Sequence, residues 1–163
     1  MRIQVSLPLE KANTIIAEAL RRGREEDMLP LTVVVLDAGG KIVAMQCEDG
    51  SGIMRFNVAF GKAWGALGMG ISSRLIRDRL SKRPVFQTAL AAAAEGRLIP
   101  VPGGVLVRDA EGVTIGAVGI SGDTSEKDEY CAIKGVHAAD LGSEPVEPDP
   151  EWRSSSLTDF YPD

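Results

Sequence analysis

The chain has 163 residues, of which 44% are hydrophobic, and a formal net charge of -5. This length suits one globular domain and excludes two domains of ordinary size. The acidic balance argues against a nucleic-acid partner, because phosphate binding needs clustered lysines and arginines. No apolar run resembles a signal peptide or reaches the ~20 residues that span a bilayer, so we expect no membrane association and a cytoplasmic location.

The first part of the chain predicts a helix followed by a hairpin. Apolar residues recur at helical spacing over residues 9–20, and Gly23 is expected to end this helix. Residues 31–36 are continuously apolar and mostly β-branched, which predicts a central strand covered on both faces. A turn at residues 37–40 and a returning strand at 41–47 complete the hairpin.

A second helix is predicted from Ile53, and it carries an unusual glycine face. Glycine costs a helix interior up to about 1 kcal/mol relative to alanine, so a backbone or a ligand must come close there. Tight packing against the sheet or a partner subunit is one explanation, and direct ligand contact is the other. This face consists of Asn57, Gly61, Gly65 and Gly68.

The second half predicts two shorter helices, at residues 72–80 and 85–95, and then a second hairpin. Its strands fall at residues 105–108 and 113–120, after the turn at residues 102–104. A final helix follows, with Thr124 as the N-cap and the carboxylates of Glu126 and Asp128 in its first turn. We therefore predict an α/β (α+β) domain with one antiparallel sheet and helices packed against it.

The last part of the sequence predicts an extended arm at residues 143–163, following a single domain at residues 1–142. Prolines recur in the arm, yet Trp152, Phe160 and Tyr161 are large apolar groups for a solvated tail. Such anchors suit burial on a neighbouring subunit, so we expect a homo-oligomer. Cys47 and Cys131 stand in no metal-binding spacing, and we expect free thiols, with one bridge between them as the alternative.

Several segments resemble the GlcG/HbpS family, a domain also found at the C-terminal end of PduO-type proteins. They are VVVLDAGGKIV at residues 33–43, NVAFGKA at 57–63, PGG at 102–104 and GISG at 119–122 followed by Asp128 and Glu129. The resemblance covers roughly residues 5 to 142. It implies a profilin-like antiparallel sheet of about five strands, dimers to octamers, and haem as the ligand.

Haem iron needs an axial ligand in an apolar slot, usually from His, Met, Cys or Tyr. His137 is the one histidine of the sequence, and it shares a helical stripe with Tyr130 and Ile133, which also suits a core or interface histidine. Met69 and Cys131 are softer candidates. Glu126 and Glu129 share a helical face that could hold a metal ion, an interpretation that the resemblance supports for iron, but an exposed helix start explains them equally well.

A ligand pocket is predicted where the glycine-rich helix, the turn at residues 102–104 and the strand-to-helix junction at residues 121–122 converge. Arg55 and Lys62 would supply positive charge for a carboxylate or a haem propionate, because an arginine fork suits that group. The other residues assigned to this pocket are Asn57, Gly103, Gly104, Ser121, Gly122 and His137.

Three functions follow as hypotheses. The first is a small-ligand-binding protein whose ligand is haem or a related tetrapyrrole. The second is an enzyme acting on a small organic acid, with Arg55 and Lys62 for binding and Glu126, Glu129 or His137 for acid–base chemistry. The third is an oligomeric scaffold without a ligand.

Overall fold

The computed structural model describes residues 4–157. The elements follow the predicted order of helix, hairpin, three helices, hairpin and helix. They are α1 (Leu9–Glu25), β1 (Thr32–Asp37), β2 (Ile42–Cys47), α2 (Met54–Met69), α3 (Ser73–Leu80), α4 (Pro84–Ala93), β3 (Gly104–Arg108), β4 (Thr114–Ser121), α5 (Ser125–Ala138), β5 (Gly142–Glu144) and a 3-10 helix (Trp152–Ser154).

The strands form one five-stranded antiparallel sheet in the order β2-β1-β4-β3-β5. The two predicted hairpins, β1–β2 and β3–β4, join through pairing of β1 with β4. Strand β1 is therefore interior, and Val33, Val34 and Val35 are all fully buried. The predicted α+β fold with a five-stranded antiparallel sheet is confirmed.

Helices cover both faces of the sheet and create two separate cores. Helices α1 and α5 pack on the face that carries Val33 and Val35. Helix α2 packs on the opposite face, against Val34 and Leu36. The alternation along β1 follows from the two-residue period of a strand, which sends successive side chains to opposite faces. A smaller cluster joins α3 and α4.

The prediction that Gly23 ends the first helix is wrong, because α1 continues to Glu25. A Cβ atom at Gly23 would lie 2.6 Å from Cδ1 of Leu31. Glycine is needed here for the close approach of the following strand and not as a helix stop.

The described part of the predicted arm packs on its own chain. Strand β5 pairs with β3, and the Trp152 ring stacks on Tyr130 with centroids 3.7 Å apart. We name residues 145–157 the C-terminal strap. Docking of the arm on a neighbouring subunit stays a prediction, and Phe160 and Tyr161 lie outside the described residues.

Two simpler expectations concern the cysteines and the membrane. Cys47 and Cys131 are both free, the first exposed and the second buried. Within residues 4–157, none of the helices has the length and apolar character that crossing a membrane requires. The cytoplasmic location stays a prediction.

Candidate functional site

A buried ion pair lies where β4 ends and α5 begins. Nζ of Lys62 on α2 lies 2.8 Å from Oδ2 of Asp128 on α5, and both side chains are at most 2% exposed. Nζ also donates to the carbonyl of Ile120 at 2.9 Å, while Oδ1 of Asp128 accepts from the Asp123 amide. Burial raises the pKa of Asp128, against the opposing charge of Lys62. The amino group of Lys62 thus pairs with Asp128 inside the protein and does not face solvent.

Gly103 and Gly104 make room for this pair. Gly103 has a φ of +110°, and a Cβ atom there would lie 2.9 Å from Nζ of Lys62. A Cβ at Gly104 would lie 2.3 Å from the Lys62 carbonyl oxygen. Gly103 also accepts a hydrogen bond from the Ile120 amide. The predicted turn therefore does meet Lys62 and the end of β4, and it does so through close backbone packing.

Arg55 meets the end of β4 from the first turn of α2. Its Nη1 donates to Oγ of Ser121 at 3.3 Å. Ser121 itself is 1% exposed, and a Cβ at Gly122 would lie 2.4 Å from the Pro30 carbonyl, so Gly122 serves packing. Asn57 is exposed on α2. The structure brings Arg55, Lys62, Gly103 and Ser121 together around the buried Asp128, and ligand binding by these residues stays a prediction.

A cavity of about 430 Å³ lies outside this cluster. We name it the α5 cavity. Its walls are the start of α5 at residues 123–126, the turn at Val101 and Pro102, Arg77 of α3, and strap residues 155–157. Arg55 and Lys62 do not line it. The lining offers hydroxyl groups, two carboxylates and one guanidinium, which suit a small polar molecule.

Glu126 and Glu129, the carboxylates predicted to hold a metal ion, each lie beside an arginine. Nη1 of Arg77 lies 3.2 Å from Oε1 of Glu126, and Nε of Arg74 lies 3.4 Å from Oε1 of Glu129. Glu129 is fully buried, its oxygens accept no hydrogen bond, and burial raises its pKa to about 7. Residues 4–157 contain no group of three or more His, Cys, Asp or Glu side chains placed to hold a metal ion. Metal binding by this pair stays a prediction.

His137 lies near the C-terminal end of α5, whereas the α5 cavity lies at its N-terminal end. Its Nε2 is 2.9 Å from Oγ of Ser143, and that hydroxyl donates to the Pro145 carbonyl. His137 thus ties α5 to the root of the strap. It is separated from Arg55, Lys62 and Ser121, with which the sequence interpretation had grouped it.

An apolar groove of about 160 Å³ opens between α2 and α4. We name it the Met69 groove. A Cβ at Gly65 would lie 2.4 Å from Leu98, whereas Gly68 has no neighbour within 4 Å of such an atom and opens into the groove. The glycine face thus serves packing at Gly65 and leaves space at Gly68. The groove is lined by Trp64, Gly65, Gly68, Met69, Leu90, Ala93, Ala94 and Leu98.

The donor chemistry of the Met69 groove is compatible with haem. A thioether is an established axial ligand of haem iron, and Met69 is 39% exposed in an apolar lining. The guanidinium of Arg97 lies 4.5 Å from the centre of the Trp64 ring, at the same groove. Cys131 is unsuited, because it is buried against Met28 and burial raises the pKa of its thiol.

A five-stranded antiparallel sheet with helices on both faces defines an α+β domain of profilin-like type. Residues 7–137 match the family model described as haem degrading protein HbpS-like. The chain belongs to this HbpS-like family, which confirms the resemblance found in the sequence.

Solved structures show the same fold. A PduOC:heme complex is 23% identical with a TM-score of 0.77, and the match covers 86% of this chain and 99% of that one. Klebsiella pneumoniae protein ORFY is 24% identical with a TM-score of 0.75, covering 86% and 94%. A double mutant of Streptomyces reticuli HbpS is 22% identical with a TM-score of 0.70, covering 84% of this chain and 89% of that one. No curated protein matches the sequence significantly.

Proposed function

We propose that this protein binds haem or a related tetrapyrrole, whose iron the thioether of Met69 would hold. The observation that carries the proposal is the Met69 groove. Its lining is apolar, it contains the thioether of Met69, and Gly68 leaves open space there, because a Cβ atom at that position would have no neighbour within 4 Å. The family description and the haem bound by the PduOC relative add support. Haem would supply the redox and ligand-binding chemistry of its iron, while the groove would orient one face of the macrocycle.

The groove would hold only part of a tetrapyrrole. Its volume of about 160 Å³ is below the roughly 300–1,000 Å³ of typical small-molecule sites. Helix α4 carries further apolar surface at its N-terminal end, where Val85 is 84% and Phe86 is 49% exposed. A second copy of the chain covering α4 would enclose the rest of the ligand. We therefore propose a homo-oligomer, from dimer to octamer, as the binding form.

Arg97 would contact a propionate of the bound haem. Its side chain is 47% exposed and pairs with Glu95, which is 79% exposed, at 3.2 Å. An exposed pair of this kind is weak, so the guanidinium can exchange partners at little cost. A planar guanidinium binds a carboxylate through two parallel hydrogen bonds.

Titration with hemin, followed by the Soret band, tests the proposal. Met69→Ala should weaken binding about tenfold or more and shift the band, because it removes the iron ligand. Met45→Ala is the matched control, since Met45 is 40% exposed on β2, away from the groove. His137→Ala should also leave the spectrum unchanged. Loss of the band in His137→Ala, with Met69→Ala unaffected, would place the iron at the end of α5 instead.

The α5 cavity favours a second function, which is binding of a small organic acid. Its volume of about 430 Å³ falls within the usual size range of ligand pockets. Arg77 is the cation that could meet a carboxylate there, although it already contacts Asp78 and Glu126. Catalysis by the sequence-assigned groups would need them in one cavity, whereas Lys62 and Glu129 are buried. Isothermal calorimetry of Arg77→Ala and wild-type protein with short hydroxy acids tests this binding.

A further inference from the structure

Strand β2 is an open edge of the sheet. Within residues 4–157 it pairs with β1 alone, so one side of its backbone has no strand beside it. The opposite edge, β5, is three residues long and is followed directly by Pro145. Short strands, prolines and charged side chains are the usual means of preventing edge pairing. Strand β2 has none of them, because its six residues include no proline and no charged side chain.

The register shows which backbone groups of β2 point outward. The Glu48 amide donates to the Leu31 carbonyl across the first hairpin. Peptide groups alternate in direction along an antiparallel strand, so the amides and carbonyls of Met45 and Cys47 point away from β1. Pairing with β1 is regular over residues 44–47, and the register shift lies before them. This part of β2 therefore presents a regular row of donors and acceptors that a further strand could bind.

The two ends of β2 carry opposite charges. Lys41 precedes the strand and is exposed. At the other end Glu48 already pairs with Arg24 at 2.9 Å, which leaves the exposed Asp49 as the negative charge of that end. Between the charges lies a neutral edge, on which Met45 is 40% exposed. A strand of this kind is complementary in charge to an antiparallel copy of itself.

We propose that β2 pairs with β2 of a second copy of this chain, antiparallel and about a two-fold axis at Met45. In this register every outward-pointing residue faces another outward-pointing residue, as ladder hydrogen bonds require. Lys41 of each copy then lies opposite Asp49 of the partner subunit, and the two sheets join into one. The interface is independent of haem binding, because the Met69 groove contains no residue of β2.

Disulfide cross-linking tests the register. In a Cys47→Ser background, Met45→Cys places two thiols directly opposite each other, where paired Cα atoms lie about 5.5 Å apart, within reach of a disulfide. Gln46→Cys is the matched control, because this neighbour is also exposed but its counterpart lies diagonally, about 7–8 Å away. Cys131 is fully buried and stays out of the reaction. Under mild oxidation, Met45→Cys should form a covalent dimer about tenfold faster than Gln46→Cys, as measured on non-reducing gels.

Charge exchange tests the pairing of the strand ends. Lys41→Glu or Asp49→Lys should slow cross-linking of the Met45→Cys protein about tenfold, because like charges then face each other at both ends. Both changes together should restore the rate. Glu111→Lys, at an exposed turn residue, is the control and should change little. Circular dichroism verifies that each variant is folded.

Equal cross-linking of Met45→Cys and Gln46→Cys would overturn the proposal, as would a charge exchange that does not restore the rate. A third contrary result is a Met45→Cys thiol that is protected from iodoacetamide yet forms no dimer, because another segment would then occupy the edge.

Discussion

Lys62 and Asp128 are 66 residues apart in the sequence, yet they form one ion pair that is almost completely removed from water. Removing one partner of such a pair is more harmful than removing both, because the remaining charge has neither solvent nor counter-ion.

We therefore expect Lys62→Met to lower the free energy of unfolding by about 3–5 kcal/mol. The double variant Lys62→Met with Asp128→Asn should recover much of this loss, since Asn can still accept from the Asp123 amide. Urea unfolding measures both. Lys41→Met, at an exposed turn lysine, is the control and should change little. Additive losses in the double variant would contradict coupling of the two residues.

Glu129 should make stability depend on pH. Burial raises its pKa from 4.5 to about 7, so the folded state holds a proton that the unfolded state releases. Stability due to the protonated carboxyl is complete below pH 4.5 and is lost as the pH rises towards 7. The free energy of unfolding should fall by about 3 kcal/mol over this pH range.

Glu129→Gln should remove this slope, because the amide does not ionise. The variant should match wild type near pH 4.5 and exceed it at pH 8, as measured by urea unfolding at each pH. Glu126→Gln, at the partly exposed neighbour, should retain the wild-type slope. An unchanged slope in Glu129→Gln would show that other groups carry the pH dependence.

Two glycines of α2 should respond oppositely to alanine. Gly68→Ala should raise stability by up to about 1 kcal/mol, because a helical glycine gains a methyl group in open space. Gly61→Ala should cost about 1–3 kcal/mol, because its Cβ would lie 2.5 Å from the Arg97 carbonyl oxygen. Thermal unfolding distinguishes them. Gly68→Ala should also weaken hemin binding by narrowing the groove, so unchanged affinity would count against that site.

Helix α4 should mediate self-association. Replacing Val85 and Phe86 by serine removes two exposed apolar groups and should shift the wild-type oligomer towards monomer. Light scattering coupled to size-exclusion chromatography measures the mass. Val113→Ser is the control, since Val113 is 59% exposed in a distant turn. A wild-type chain that is monomeric at all concentrations would contradict the proposed assembly.

The fold was largely predictable because local patterns and tertiary packing agree. The β-branched run at residues 31–36 predicted the interior strand, and Thr124 was correctly expected to cap α5, where its Oγ1 accepts from the Lys127 amide. The end of α1 was predicted wrongly because Gly23 makes room for the side chain of Leu31, a residue outside the helix. A local pattern cannot distinguish a glycine that stops a helix from one that admits a neighbour.

The candidate site was predictable only in part. The sequence grouped Arg55, Lys62, Gly103 and Ser121 through the glycines of α2 and of the two segments at residues 102–104 and 121–122. Asp128 could not be identified as the partner of Lys62. An acidic residue in the first turn of a helix is usually explained by solvent exposure and by its attraction to the positive end of the helix dipole. The α5 cavity could not be predicted because its wall is formed by the strap. The strap packs on α5 through the stack of Trp152 on Tyr130, and no local sequence pattern indicates that contact.

The two cores of this protein lie on opposite faces of the sheet and share no side chains. Lys62 reaches from the helix of one core to the helix of the other and also donates to the carbonyl of Ile120 in β4. Detachment of either helical layer would therefore break this ion pair as well as the apolar packing. The domain should melt as one cooperative unit, and a partly folded form that keeps only one layer should not accumulate.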